Sequence, residues 1–131
     1  MNRRKLFNAL IALPTLGLTG FARAGTATAQ SVLLQVSPVA GFQYYDGPVV
    51  WDCLRPGDRL LLARESGNPR DERAVAVYWH RHKIGYLPRR GNTTVAQMLD
   101  RRQALRAEVT TLHDSPDPWQ RVQLSVTLER T

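Results

Sequence analysis

From residue 31 onward, apolar and polar positions alternate in short runs broken by turn residues. Ser31-Val32-Leu33-Leu34-Gln35-Val36 reads as a first strand, ended by Pro38, which cannot donate to a sheet ladder. Val49-Val50-Trp51 reads as a short second strand. In Arg55-Pro56-Gly57-Asp58 the proline presets one backbone dihedral and the glycine permits a positive one, so a turn leads into a buried strand over Arg59 to Arg64. Glu65 to Glu72 is a loop by its Gly, Asn, Pro and Asp content. Ala74 to Trp79 is the strongest strand signal, turned by His80-Arg81-His82 and answered by Lys83 to Leu87. Leu105 to Leu112 and Val122 to Leu128 alternate again around an Asp114-Ser115-Pro116-Asp117-Pro118 turn. One helix is expected. Asn92 or Thr93 caps it, Val95, Met98 and Leu99 share a face, and Arg101-Arg102 lie near its C-terminal end, where the dipole favours cations. Many short strands with one helix predict a mainly β fold, a small closed or nearly closed antiparallel barrel.

The N-terminus carries a different pattern. Arg3-Arg4-Lys5 precedes an apolar run from Leu6 to Leu18, and small-residue exits follow at Ala22-Arg23-Ala24 and Ala27-Thr28-Ala29. A basic region, an apolar run and an Ala-x-Ala exit are the three parts of an export signal. The run is shorter than the ~20 residues a membrane-spanning helix needs and contains Pro14, so no stable membrane insertion is expected. Arg3-Arg4 also resembles the twin-arginine signal, with Asn2 at the usual serine or threonine position, so the Sec route stays open. The expected organisation is an export signal over 1–24 with an alternative end at 29, a linker over 25–30, and one domain over 31–131. The mature chain would be periplasmic or secreted.

Charge changes the picture less than its total suggests. The net charge is +7, but Arg3, Arg4, Lys5 and Arg23 account for four of it, and removing them leaves +3. Cys53 is the only cysteine, so no intrachain disulfide exists. His80 and His82, two apart, would share a face if both lay on a strand, and His113 is the third histidine. Zinc needs three or four ligands and the spacing fixes no third, so no cofactor is expected and these histidines are the candidate metal ligands. Neither a Gly-x-x-x-x-Gly-Lys-Ser/Thr loop nor a nucleophile-elbow sequence occurs.

Four blocks resemble the HIRAN domain family, in its order. They are Gly41-Phe42-Gln43-Tyr44-Tyr45, Pro56 to Leu62, Asn68-Pro69-Arg70-Asp71-Glu72-Arg73-Ala74-Val75-Ala76-Val77, and Ile84-Gly85-Tyr86-Leu87-Pro88-Arg89. The resemblance is clearest over 31–112. It implies an OB-like antiparallel barrel of about six strands and a helix. It also implies a module that captures the 3′ end of single-stranded DNA, with paired tyrosines stacking on bases and an Asn/Asp loop engaging the terminal nucleotide. Carried over by motif, those positions are Tyr44, Tyr45, Asn68 and Asp71, with Arg70, Arg89 and Arg90 as candidate phosphate contacts. Two positions depart from the DNA-binding relatives: Gln43 replaces a basic residue, and Gly67 stands where they have a second Asn.

Other roles fit the same residues. On a strand only one of the adjacent Tyr44 and Tyr45 would face the core. Asn68 and Asp71 also suit turns closed by side-chain to backbone bonds, and Arg89-Arg90 suit a solvated loop. The expected function is therefore a non-enzymatic nucleic-acid-binding module. The alternatives are an exported module that has lost DNA binding and engages a protein partner, and a metal-dependent hydrolase of acid anhydrides. Hydrolase and zinc descriptions attach to the family through neighbouring helicase and RING domains.

Overall fold

The computed structural model describes residues 30–130. The expected export signal, with either of its ends, lies outside the described residues. Gln30, placed in the linker by sequence, already begins the first strand. Among the described residues there are six strands: β1 (Gln30–Pro38), β2 (Arg59–Glu65), β3 (Ala74–Trp79), β4 (His82–Tyr86), β5 (Leu105–Leu112) and β6 (Val122–Arg130). They form one sheet in the order β1-β6-β5-β2-β3-β4. The pairings β2–β3, β2–β5, β3–β4 and β5–β6 are all antiparallel. The two ends of that order meet just past β1, where Ala40 and Tyr86 form an isolated antiparallel bridge. The result is an OB-like antiparallel sheet that is not fully closed; at its seam the two ends are linked by that one bridge. No described helix is long and apolar enough to cross a membrane.

The alternation in the sequence explains which face is inward. Ala107 and Val109 on β5, and Val122, Leu124 and Val126 on β6, are buried at every second position. β3 is buried from Ala74 to Val77 without a gap, which is why its sequence is a continuous apolar run. Phe42, Leu54, Leu60, Val75, Val77, Ile84 and Val95 complete one core. Each such side chain contributes about 1.5–3 kcal/mol by leaving water.

Two local expectations are corrected. Val49-Val50-Trp51 is not a strand: Gly47–Val50 is a helical turn, α1, continued by a 3-10 turn over Trp51–Cys53. Pro48 at its start supplies a preset helical φ, and the Val50 amide bonds the Asp46 carbonyl at 3.1 Å. Three apolar residues are too few for periodicity to separate the two states. The helix is α2 (Thr93–Asp100), with Asn92 at its N-cap position, but no side-chain cap bond forms there. Asn92 is fully buried and its amide is turned to Asp71 instead. Val95 and Ala96 are buried, while Met98 and Leu99 are half-buried.

Candidate functional site

The tyrosine pair is not on a strand. Phe42–Tyr44 forms a 3-10 turn that buries Phe42, entered through Gly41 at φ 74°. Phe42 takes the core position, and both tyrosines are left outside, Tyr44 at 76% and Tyr45 at 38% exposure. The expectation that one tyrosine faces the core fails because the chain turns here, leaving no strand alternation to obey. Gly47 makes this possible, since a side chain there would overlap the Phe42 ring.

The Asn/Asp loop is shaped by its own side chains. Asn68 Oδ1 accepts from the Arg70 amide at 2.9 Å, and Asp71 Oδ1 accepts from the Arg73 amide at 3.0 Å. Both are turn-closing bonds of the kind Asn and Asp favour. Asp71 Oδ2 accepts from Asn92 Nδ2 at 2.8 Å, which ties the loop to the start of α2. Burial alone would raise the Asp71 pKa. The Arg73 amide, the Asn92 amide and the positive charges of Arg73 and Arg89 outweigh it, so the carboxyl lies below its ordinary value. Each oxygen still has a lone pair beyond the bond it makes.

Loop and turn meet across the barrel seam in an open cavity of about 270 Å³. Tyr44, Tyr45, Asn68, Arg70, Asp71 and Arg89 all line it; Arg90 does not. A more polar recess of about 340 Å³ continues along the loop, sharing Asn68, Arg70, Asp71 and Arg89 and adding Arg73 and Glu72. Arg70 and Arg89 are exposed, and neither takes part in an ion pair among the described residues.

Sequence reasoning missed the residues that back this cavity. Tyr86 lines it, with its ring edge-on to Tyr45 at 5.5 Å between centres. The Tyr86 hydroxyl donates to Glu65 Oε1 at 2.6 Å and accepts from Lys83 Nζ at 2.6 Å. Lys83 Nζ also pairs with Glu65 Oε2 at 2.9 Å, and Asn68 Nδ2 donates to Glu65 at 3.2 Å. Burial works against the charge on Glu65, but the bonds from Tyr86, Lys83 and Asn68 outweigh it and hold its pKa below the ordinary value. Burial and the Glu65 carboxylate both push the Tyr86 hydroxyl up. The usable signal is Tyr86 itself, an aromatic inside the Ile84 to Arg89 motif. Trp119, 49% exposed, was also passed over; its 3-10 turn (Pro118–Gln120) packs beside the Phe42–Tyr44 turn.

The histidines do not assemble. His80 lies in the two-residue turn between β3 and β4 at φ 53°, so the same-face argument for a strand does not apply to it. His82 Nδ1 is 3.1 Å from Asp46 Oδ2, and His113 lies just past β5, its amide bonded to the Arg121 carbonyl. Among the described residues no group of three or more His, Cys, Asp or Glu is placed to hold a metal ion.

An antiparallel six-stranded OB-like barrel with an aromatic and arginine-rimmed cavity at its seam defines a class of small binding modules. The HIRAN domain family model matches residues 32–130, so the chain belongs to the HIRAN domain family. That match runs through β6, well past the 31–112 stretch where the motifs are clearest. Among solved structures, a protein from Lactobacillus plantarum is similar at 33% identity and a TM-score of 0.66, over 78% of this chain and 98% of that one. The HIRAN domain of human HLTF is similar at 21% identity and a TM-score of 0.60, over 77% of this chain and 80% of that one, a likeness of fold. No curated protein matches the sequence.

Proposed function

We propose that this chain is a non-enzymatic nucleic-acid-binding module, and that its seam cavity takes the 3′ end of a single DNA strand. The observation that carries the reading is the convergence of four motif-matched residues, Tyr44, Tyr45, Asn68 and Asp71, with the arginines Arg70 and Arg89, on one open cavity of about 270 Å³. The chemistry is consistent. A half-exposed tyrosine offers a stacking face worth ~1–3 kcal/mol per base. Arg70 and Arg89 at the rim suit phosphate, which arginine grips with two parallel bonds. Asp71 retains acceptor capacity for a terminal hydroxyl. Export by the N-terminal signal is part of the same proposal, and it makes a protein partner the competing occupant of the cavity.

The test is fluorescence anisotropy with a labelled single-stranded oligonucleotide at low salt. The intact chain binds, Tyr45→Ala weakens binding by the ~1–3 kcal/mol of one lost stack, and Leu61→Ser, outside the cavity, does not. Absence of binding by the folded chain favours the protein-partner reading.

A further inference from the structure

One of the chain's two lysines stands behind the stacking tyrosine. Lys83 does not line the cavity, yet its ammonium lies over the Tyr45 ring, 5.0 Å from the ring centre. It is pinned there by Glu65 at 2.9 Å and the Tyr86 hydroxyl at 2.6 Å. It also lies over the Tyr86 ring, 4.5 Å from that ring's centre. The side chain is about a quarter exposed. Burial works against the charge, but the bonds to Tyr86 and Glu65 outweigh it and lift the lysine above its ordinary pKa, so it is charged at neutral pH.

A cation over one face of an aromatic ring draws π density toward itself and leaves the other face poorer. A base stacked on that other face gains most when it is large and electron-rich. Purines cover more of a phenol ring than pyrimidines do, and guanine is the most electron-rich of the four bases. We propose that Lys83 is a specificity-determining residue, which makes the Tyr45 platform favour a terminal purine, guanine above all. The inference rests on the reading of Tyr45 as a stacking surface. It also separates Lys83 from the rim arginines: committed to Glu65 and Tyr86, it reads the base through the ring and no phosphate.

The experiment uses the full chain and labelled pentathymidylates extended by one 3′-terminal G, A, C or T. Anisotropy is expected to show the G-ended strand binding about threefold tighter than the T-ended one. Lys83→Met brings that ratio to about one while binding persists, and Lys83→Arg, which keeps the charge, keeps the preference. Lys83→Met strands the Glu65 carboxylate, so Glu65→Gln/Lys83→Met is measured beside it and is expected to lose the preference equally. Equal affinity for the four ends in the unsubstituted chain, or a preference that survives both methionine variants, overturns this inference alone. Failure to bind any of the four overturns the nucleic-acid reading and this inference with it.

Discussion

Ala40 and Tyr86 exchange two backbone hydrogen bonds, Ala40 N to Tyr86 O at 2.8 Å and Tyr86 N to Ala40 O at 2.9 Å. That bridge joins the two ends of the six-strand order, and both residues line the cavity. The contact that links the two ends of the sheet is therefore also part of the cavity wall. The tyrosine turn follows Ala40 directly, and Tyr86 brings with it the contacts to Glu65, Lys83 and Asn68.

The seam demands glycine at position 85. Its φ of 151° is one that side-chain-bearing residues rarely adopt, and a methyl there would overlap the Ala40 carbonyl oxygen and Val39. Gly85→Ala is expected to cost about 3 kcal/mol, from overpacking and backbone strain together. For a domain of this size that lowers Tm by roughly 12–24 °C, read by thermal melting. An unchanged Tm would show that the seam is looser than described.

The Glu65–Lys83–Tyr86 network predicts stability that falls off at both pH extremes. The Glu65 and Asp71 carboxyls have lowered folded values, so their contribution is complete above the ordinary values of 4.5 and 3.8 and is lost as the pH drops below them. Lys83 and Tyr86 have raised folded values, so theirs is complete below 10.5 and 10.0 and is lost as the pH rises beyond them. Urea midpoints from pH 3 to 11 measure this. Glu65→Gln should cost about 1–2 kcal/mol at pH 7 and flatten the acid limb, because the partly screened pair and its hydrogen bonds are gone. An acid limb of unchanged slope in that variant contradicts the network's role.

Asn92 is buried, and among the described residues its Oδ1 has no partner, while its amide holds Asp71. Asn92→Ala should destabilise the domain by about 1–3 kcal/mol, from the lost bond and the space left behind. It should also weaken oligonucleotide binding without Asn92 lining the cavity, because the Asn68–Asp71 loop loses its tether to α2. Unfolding curves and anisotropy on the one variant separate the two effects. Binding that survives intact would mean the loop holds its shape through its turn bonds alone.

The barrel was legible because its signals are local and periodic. β3, β5 and β6 follow alternation or a continuous apolar run, and Asn68 and Asp71 make the turn bonds their side chains favour. What sequence could not supply were the relationships between segments. Asn92 was read as a helix cap from its position, but a carboxylate 21 residues earlier draws its amide away. Tyr44 and Tyr45 were read against strand alternation, and only the packing of Phe42 on Gly47 shows why the chain turns there. Lys83 and Glu65, 18 residues apart and unremarkable in either segment, meet only when β4 and β2 pair on either side of β3.

The N-terminal pattern predicts processing. Protein recovered from its native cell should have an intact mass corresponding to a chain that begins at Gly25 or Gln30 and should fractionate outside the cytoplasm. A cytoplasmic product retaining Met1 would overturn the export proposal and would leave the cavity's chemistry untouched.

The central claim is that the cavity receives a strand end, and the most direct measurement compares two oligonucleotides that differ only there. Anisotropy titrations of the intact chain should show a 3′-hydroxyl end binding more tightly than the same strand carrying a 3′-phosphate. On the proposed reading Asp71 would accept from the hydroxyl, whereas its ionised carboxyl would repel the phosphate. Tyr45→Ala should weaken the hydroxyl-ended complex by ~1–3 kcal/mol, and added salt should weaken it further as the counterions displaced by the rim arginines are restored. Equal binding of the two ends, or no binding at low salt by a chain that is demonstrably folded, would contradict the account.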